Sequence, residues 1–137
     1  MSSDPLPWQC LVRYPSACSG VKFIDVDYRD LMIRKRDVVQ STKELLEVLT
    51  SVEVQEAGSI LFRSDQYLQL GCDLRDLDGL NRGLVNAVDI NNCEILFTAE
   101  VSITYMNAEA SNSLIQWTSK LPEGILNYMQ FLLLELT

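Results

Sequence analysis

The sequence predicts an α/β fold with a mostly parallel sheet. Residues 21–26, 67–72 and 93–99 are short apolar runs bounded by turn residues, which is typical of buried strands. Stretches with helical spacing separate these runs, and such alternation indicates one sheet with helices packed on its faces. The 137 residues suffice for one domain of ordinary size.

The chain begins with a short segment and a strand. Residues 7–17 predict a short helix or irregular turn that ends at Tyr14 and Pro15, because a residue before proline disfavours the helical region. Residues 21–26 follow as a strand that we expect to be buried on both faces.

A long helix is expected next. Apolar residues recur at spacings of seven and four, which predicts one buried stripe. The stripe comprises Leu31, Val38, Leu45 and Leu49, with Met32, Val39 and Leu46 beside it. After this helix, residues 53–64 predict a loop or a weak strand with a turn at Gly58.

The second half of the chain predicts two further helices. The first covers residues 76–88, although Gly79 and Gly83 weaken it. The second covers residues 108–120, because Asn107 is a good N-cap and Pro122 stops the helix. Its expected buried stripe is Ala110, Leu114, Trp117 and Leu121. Residues 125–136 fit a strand or a helix equally well.

Composition limits the chemistry of this chain. Its net charge of −8 does not attract nucleic acid, so any RNA contact has to be local. The chain has no histidine, which excludes Ser-His-Asp and Cys-His nucleophiles. None of its four cysteines forms a C-x-x-C pair, so no zinc site is expected. Without a secretory signal or a membrane-spanning run, we expect a cytoplasmic protein with reduced thiols.

Acidic residues follow three of the predicted strands. Asp27, Asp73 and Glu100 each come directly after an apolar run. Ligands of open α/β sheets bind outside the carboxyl ends of the strands. Carboxylates at these ends would suit a ligand with ribose hydroxyls or a positive charge. Each acid is also a common turn or helix-cap residue, so the alternative is a purely structural role.

Four segments resemble motifs of the leucine carboxyl methyltransferase family. Residues 23–28 read Phe-Ile-Asp-Val-Asp-Tyr and precede an Arg-Lys pair, and residues 70–77 read Leu-Gly-Cys-Asp-Leu-Arg-Asp-Leu. Residues 98–106 read Thr-Ala-Glu-Val-Ser-Ile-Thr-Tyr-Met, and residues 4–8 read Asp-Pro-Leu-Pro-Trp. The segments follow the order of the family and cover most of residues 4–122. The residues of these segments are most similar to those of the fungal branch of the family that acts in wybutosine biosynthesis.

The resemblance implies a Rossmann-like class I methyltransferase fold that uses S-adenosyl-L-methionine, without a metal. Residues 1–137 would be a partial domain, incomplete at both ends. The implied substrate is a carboxyl group on the wybutosine precursor in phenylalanine tRNA. The sister branch of the family instead methylates the C-terminal leucine of the protein phosphatase 2A catalytic subunit, and this remains the alternative.

The resemblance also implies roles for individual residues. Asp27 would bind the ribose hydroxyls of the cofactor, and Asp73 and Leu74 would flank its adenine. Glu100 would face the methionine end of the cofactor, and Tyr105 would line the substrate side. Arg75 and Asp76 match the family pattern too, but a surface ion pair or a helix cap explains them equally well.

The chain departs from the family pattern at its two ends. The glycine-rich loop expected before Asp4 and the first strand of the family are not found in this sequence, and residues 123–137 diverge. Because that strand is central in the family, we expect the isolated chain to expose apolar strand edges. We therefore predict that the isolated chain is marginally stable and binds the cofactor weakly or not at all.

Two other functions are compatible with the sequence. One is a non-catalytic α/β fragment that acts as a binding module. The other is a dinucleotide-binding oxidoreductase, in which Asp27 would bind the ribose, although no G-x-G-x-x-G motif is found. Separately, Arg29, Arg34, Lys35 and Arg36 predict either an RNA phosphate contact or a solvated helix face.

Overall fold

The computed structural model describes residues 7–100, 105–121 and 128–132. The chain divides into two compact units, Met1–Asp73 and Leu74–Thr137. Both units contain helices and strands, so the predicted α/β class is confirmed. Motif residues 4–6 lie outside the described residues.

The first unit contains three helices and four strands. In chain order they are α1 (Pro7–Arg13), β1 (Phe23–Asp27), α2 (Arg29–Ser41), α3 (Lys43–Leu46), β2 (Glu53–Val54), β3 (Ile60–Arg63) and β4 (Tyr67–Gly71). Helix α1 ends just before Tyr14, as the following proline predicts. The strands form one sheet in the order β1-β4-β3-β2.

This sheet is mixed, whereas the sequence was expected to form a mostly parallel one. Strand β1 pairs parallel to β4, but β2–β3 and β3–β4 are antiparallel. Only residues 64–66 separate β3 from β4, and so short a connection permits an antiparallel pair alone. The side chain of Ser64 closes the turn by donating to the Tyr67 carbonyl and accepting from the Tyr67 N–H.

Strand β4 is the buried centre of this sheet, and β1 lies at its edge. The core residues of β4 are almost fully enclosed. Every residue of β1 is only half-buried, so the prediction of a strand buried on both faces is wrong. In the described part of the chain β1 pairs on one side only, which leaves its side chains partly accessible.

The predicted long helix is divided at Thr42. This residue is extended, and its hydroxyl donates to the Val38 carbonyl, which completes the end of α2. The predicted stripe is also wrong by one residue over α2. Leu31 and Val38 are 40% and 55% exposed, whereas Met32 and Val39 are buried. Both pairs have the same spacing of seven, so periodicity did not distinguish them.

The second unit contains two helices and two strands. They are α4 (Leu77–Ala87), β5 (Leu96–Glu100), α5 (Ala108–Ser119) and β6 (Tyr128–Leu132). Strands β5 and β6 pair in parallel. Asn107 caps α5 as predicted, because its Oδ1 accepts from the N–H of Ala110 at 2.8 Å. On α5, Leu114 and Thr118 are buried, and the ring of Trp117 meets that of Phe97 edge to face.

Candidate cofactor site

Asp27 and Asp73 leave the sheet at the same edge. Asp27 is the last residue of β1 and is in register with Gly71, the last residue of the parallel strand β4. The N–H of Cys72 donates a 2.8 Å hydrogen bond to the Asp27 carbonyl, so the pairing extends one residue beyond the strand. Asp73 follows at once. The first unit thus brings two of the expected ligand-binding acids to a carboxyl edge, where α/β proteins bind ligands.

The carboxylate of Asp27 is held at both of its oxygens. Its Oδ1 accepts a hydrogen bond from the N–H of Tyr28 at 2.8 Å. Its Oδ2 lies 3.8 Å from Nζ of Lys35, which reaches down from α2. One third of the Asp27 side chain is still exposed. The carboxylate is therefore oriented by the protein and remains accessible to a ligand.

A second carboxylate, Asp25, lies on the same face of β1 and was not singled out from the sequence. Nζ of Lys35 lies 3.2 Å from its Oδ2, and the hydroxyl of Tyr67 donates to the same oxygen at 3.3 Å. Nε2 of Gln69 in turn donates to the Tyr67 hydroxyl. Side chains two apart on a strand share a face, so the spacing of Asp25 and Asp27 was the available signal.

Burial and the nearby Asp25 carboxylate raise the pKa of Tyr67 above its ordinary value. Both effects disfavour the phenolate, the first by desolvation and the second by charge repulsion. Tyr67 therefore stays protonated and acts as a hydrogen-bond donor. Its donation fixes Asp25 from the core side of the sheet.

The beginning of α2 is attached to the turn between β2 and β3. The Arg29 guanidinium donates to the carbonyls of Gly58 and Glu56. A Cβ atom on Gly71 would lie 3.2 Å from Cα of Arg29, so glycine permits this close approach of β4 and α2. The glycine of the Gly-Cys-Asp-Leu motif therefore has a packing role beside the site.

The structure distributes the four basic residues among different roles. Arg29 donates to two backbone carbonyls of the turn between β2 and β3, and Lys35 forms ion pairs with the two aspartates of β1. Arg36 is buried and donates to the Gln55 carbonyl at 2.9 Å, so it is unavailable to RNA. Arg29 and Arg34 are exposed, but among the described contacts only Arg29 of these two makes side-chain hydrogen bonds. The arrangement favours a structural role for most of this cluster over an RNA phosphate contact.

The other expected site residues belong to the second unit. Leu74 is half-buried in the turn that follows Asp73. Glu100 is the last residue of β5, where its backbone is in register with Leu132 of β6. Tyr105 is 85% exposed. Asp76 caps α4, because its Oδ1 accepts from the N–H of Gly79 at 2.9 Å, which bears out the helix-cap interpretation.

Two kinds of feature are absent from the described residues. Within residues 7–100, 105–121 and 128–132, no group of three or more cysteine, aspartate or glutamate side chains is arranged to hold a metal ion. Over the same residues, every helix is too short or too polar to cross a membrane.

Comparison with known protein families assigns the chain to a class of protein. Residues 9–119 match the leucine carboxyl methyltransferase family. The match covers most of the chain, so the chain belongs to this methyltransferase family, as its motifs predicted.

Individual relatives share one name. A protein of Gibberella zeae called tRNA wybutosine-synthesizing protein 4 is 44% identical, over 97% of this chain and 13% of that protein. Proteins of the same name from Neurospora crassa and Aspergillus fumigatus are 36% and 41% identical. These alignments cover 97% and 96% of this chain, but 16% and 12% of the relatives. The chain thus spans a small part of the length of the relatives it matches.

Proposed function

We propose that this chain is part of the cofactor-binding domain of an S-adenosyl-L-methionine-dependent carboxyl O-methyltransferase. The supporting observation is the placement of Asp27 and Asp73 at the carboxyl edge of the parallel pair β1–β4, in a chain of the leucine carboxyl methyltransferase family. In this proposal β1, α2 and β4 are a portion of a Rossmann-like fold, and the antiparallel strands β2 and β3 extend its sheet.

The residues at this edge fit the proposed cofactor. A carboxylate accepts hydrogen bonds from both hydroxyls of a ribose, and Asp27 presents one that is oriented and partly exposed. Asp73 is half-buried beside it and is suited to accept from the adenine amine, with Leu74 packed against the base. We assign the methionine end to Glu100 and the substrate side to the exposed Tyr105, following the family pattern.

The chemistry requires little beyond alignment. S-adenosyl-L-methionine supplies an activated methyl group on a positively charged sulfur. A carboxylate substrate is ionised at neutral pH, so the protein needs no general base, and a chain without histidine is compatible with the reaction. The contribution of Asp27 and Asp73 is to hold and orient the cofactor, and alignment alone can lower a barrier by about 7 kcal/mol or more.

We propose the wybutosine precursor side chain in phenylalanine tRNA as the substrate of the whole protein. The support is the shared name of the relatives, tRNA wybutosine-synthesizing protein 4.

We propose the cytoplasm as the place of action. The four cysteines are free thiols, which agrees with this location.

Calorimetric titration with S-adenosyl-L-methionine tests the cofactor site. We expect weak binding by the parent chain and at least a tenfold loss of affinity in Asp27→Asn and in Asp73→Asn, because each variant removes a charged acceptor. Asp37→Asn is the matched control, since Asp37 is exposed on α2. A folded parent that binds no cofactor, or variants that bind as the parent does, would contradict the proposed site.

Methyl transfer with the whole protein tests the substrate. Phenylalanine tRNA that carries the unmethylated precursor should accept a labelled methyl group, and fully modified tRNA should not. Labelling of a C-terminal peptide of the protein phosphatase 2A catalytic subunit, without labelling of the tRNA, would assign the protein to the sister branch.

A further inference from the structure

Lys35 lies between two carboxylates at the edge where the cofactor is proposed to bind. Its Nζ is 3.2 Å from Oδ2 of Asp25 and 3.8 Å from Oδ2 of Asp27. The three side chains are at most one third exposed, so water screens them only in part. Lys35 lies on α2, and its partners lie on β1, so the helix places a positive charge above the end of the strand.

This charge offsets a repulsion built into β1. Asp25 and Asp27 are two apart on a strand and therefore face the same side, where two carboxylates repel each other. Lys35 attracts both. Without it, the more exposed carboxylate, Asp27, would lower its energy by turning away towards water.

The two carboxylates are also held differently. Asp25 is fixed from the core by the Tyr67 hydroxyl, so it has little freedom to rotate. Asp27 is fixed by the N–H of Tyr28 at one oxygen and faces Lys35 with the other. Among the contacts of the Asp27 carboxylate in the described part of the chain, the contact with Lys35 is the one that comes from another element, since Tyr28 is the next residue in sequence.

We propose that Lys35 is a positioning residue for the cofactor: it orients the Asp27 carboxylate so that its free lone pairs face the ribose hydroxyls. This inference rests on the proposed cofactor site. Lys35 does so without contacting the ligand itself, because its Nζ is engaged with the two acids. Pre-organised acceptors bind better because less ordering is left to do when the ligand arrives.

The test combines affinity with a double-mutant cycle. Lys35→Met should weaken S-adenosyl-L-methionine binding by about threefold to fivefold, the range expected for a partly exposed ion pair. Lys35→Arg, which keeps the charge, should restore most of the affinity. Lys43→Met removes an exposed ion pair between Lys43, at the start of α3, and Glu47, just after its end, and is the matched control, with no change expected.

The cycle distinguishes positioning from a general loss of stability or charge. In an Asp27→Asn background, Lys35→Met should weaken binding no further, because the residue through which it acts is already altered. The effect in the parent should also shrink at about 1 M salt, where ionic interactions are screened within roughly 3 Å. An equal loss of affinity in both backgrounds would overturn the proposal.

A second measurement is independent of cofactor binding. The N–H of Tyr28 reports the orientation of Asp27, so its NMR resonance and hydrogen-exchange rate should change in Lys35→Met and return in Lys35→Arg. If the Tyr28 amide is the same in Lys35→Met and the parent, the positioning role is wrong even if the cofactor binds. If the amide changes but the parent binds no cofactor, the proposed function fails and the orienting contact stands.

Discussion

The N–H of Cys72 donates to the carbonyl of Asp27 across the end of the β1–β4 pair, at 2.8 Å. This bond joins the first strand-end motif of the family to the second, although the two residues are far apart in the chain. The pairing of β1 with β4 therefore determines how far the backbone of Asp27 lies from that of Asp73. Substitutions that disturb the end of this pair should therefore affect both acids together.

Gly71→Ala should destabilise the chain and weaken cofactor binding. The added Cβ would lie 3.2 Å from Cα of Arg29, and Arg29 is held by the carbonyls of Gly58 and Glu56, so it cannot move freely. We expect a cost of about 1–2 kcal/mol, measured as the change in unfolding free energy in urea.

Gln40→Ala is the control for this experiment. Gln40 is exposed on α2, so its substitution should change the unfolding free energy by less than about 0.5 kcal/mol. The interpretation of Gly71 would be contradicted if Gly71→Ala were as stable as the parent.

Tyr67→Phe should remove both a hydrogen bond and a pH dependence. The hydroxyl donates to Asp25 and accepts from Gln69, and its loss removes the acceptor of the buried Gln69 amide, at a cost of about 1–3 kcal/mol, whereas Asp25 keeps Lys35 as a partner. Denaturant titrations at neutral pH measure this cost. Tyr14→Phe, at an exposed tyrosine, should change nothing.

The sign of the pH effect follows from the raised pKa of Tyr67. Its ordinary pKa is 10.0 and the folded value is higher, so the folded chain holds the proton more tightly. The contribution of the protonated Tyr67 hydroxyl to the free energy of unfolding is complete below pH 10.0. It is lost as the pH rises further, because this tyrosine ionises at a lower pH in the unfolded chain than in the folded one. Stability of the parent should fall above this pH, and Tyr67→Phe should show a shallower fall. Identical alkaline profiles would exclude the effect.

Asp76→Ala should destabilise α4 by about 1 kcal/mol, the usual cost of losing an N-cap. Asp76→Asn should retain most of the stability, since an amide oxygen can still accept from the N–H of Gly79. Thermal unfolding of both variants measures the difference. If Asp76→Asn keeps its stability but loses cofactor affinity, Asp76 contacts the ligand as well as capping the helix.

Arg36→Met and Arg34→Met should separate structure from RNA binding. Arg36 is buried and donates to Gln55, so its loss should cost about 1–3 kcal/mol of stability. Arg34 is exposed, and its loss should change stability by less than about 0.5 kcal/mol. Urea unfolding and tRNA affinity are measured for both variants. A folded Arg34→Met variant with weaker tRNA binding would give α2 an RNA-contacting role.

Several local features were predictable because neighbouring residues determine them. The Tyr14-Pro15 stop, the Asn107 cap and the turn at Gly58 all act within a few positions, and each is found where expected. The strand-end position of Asp27 is likewise confirmed. It was predictable because an aspartate directly after a short apolar run is a local signal for the end of a strand.

The register of α2 was not predictable in the same way. Leu31 with Val38 and Met32 with Val39 have equal spacing, and burial of Arg36 between the last two is contrary to hydrophobic patterning. The Gln55 carbonyl, which lies outside the helix, makes that burial possible by accepting from the guanidinium. A contact across 19 positions has no local signature in the sequence.

The sequence by itself determined the α/β class, most element positions and membership of the methyltransferase family, because these depend on local spacing and on motif wording. The tertiary structure decided the mixed sheet, the edge position of β1 and the meeting of Lys35 with Asp25 and Asp27. These features arise because α2 packs over β1 and because β4 pairs with β1. Side-chain charges that are separated along the chain become partners only through that packing.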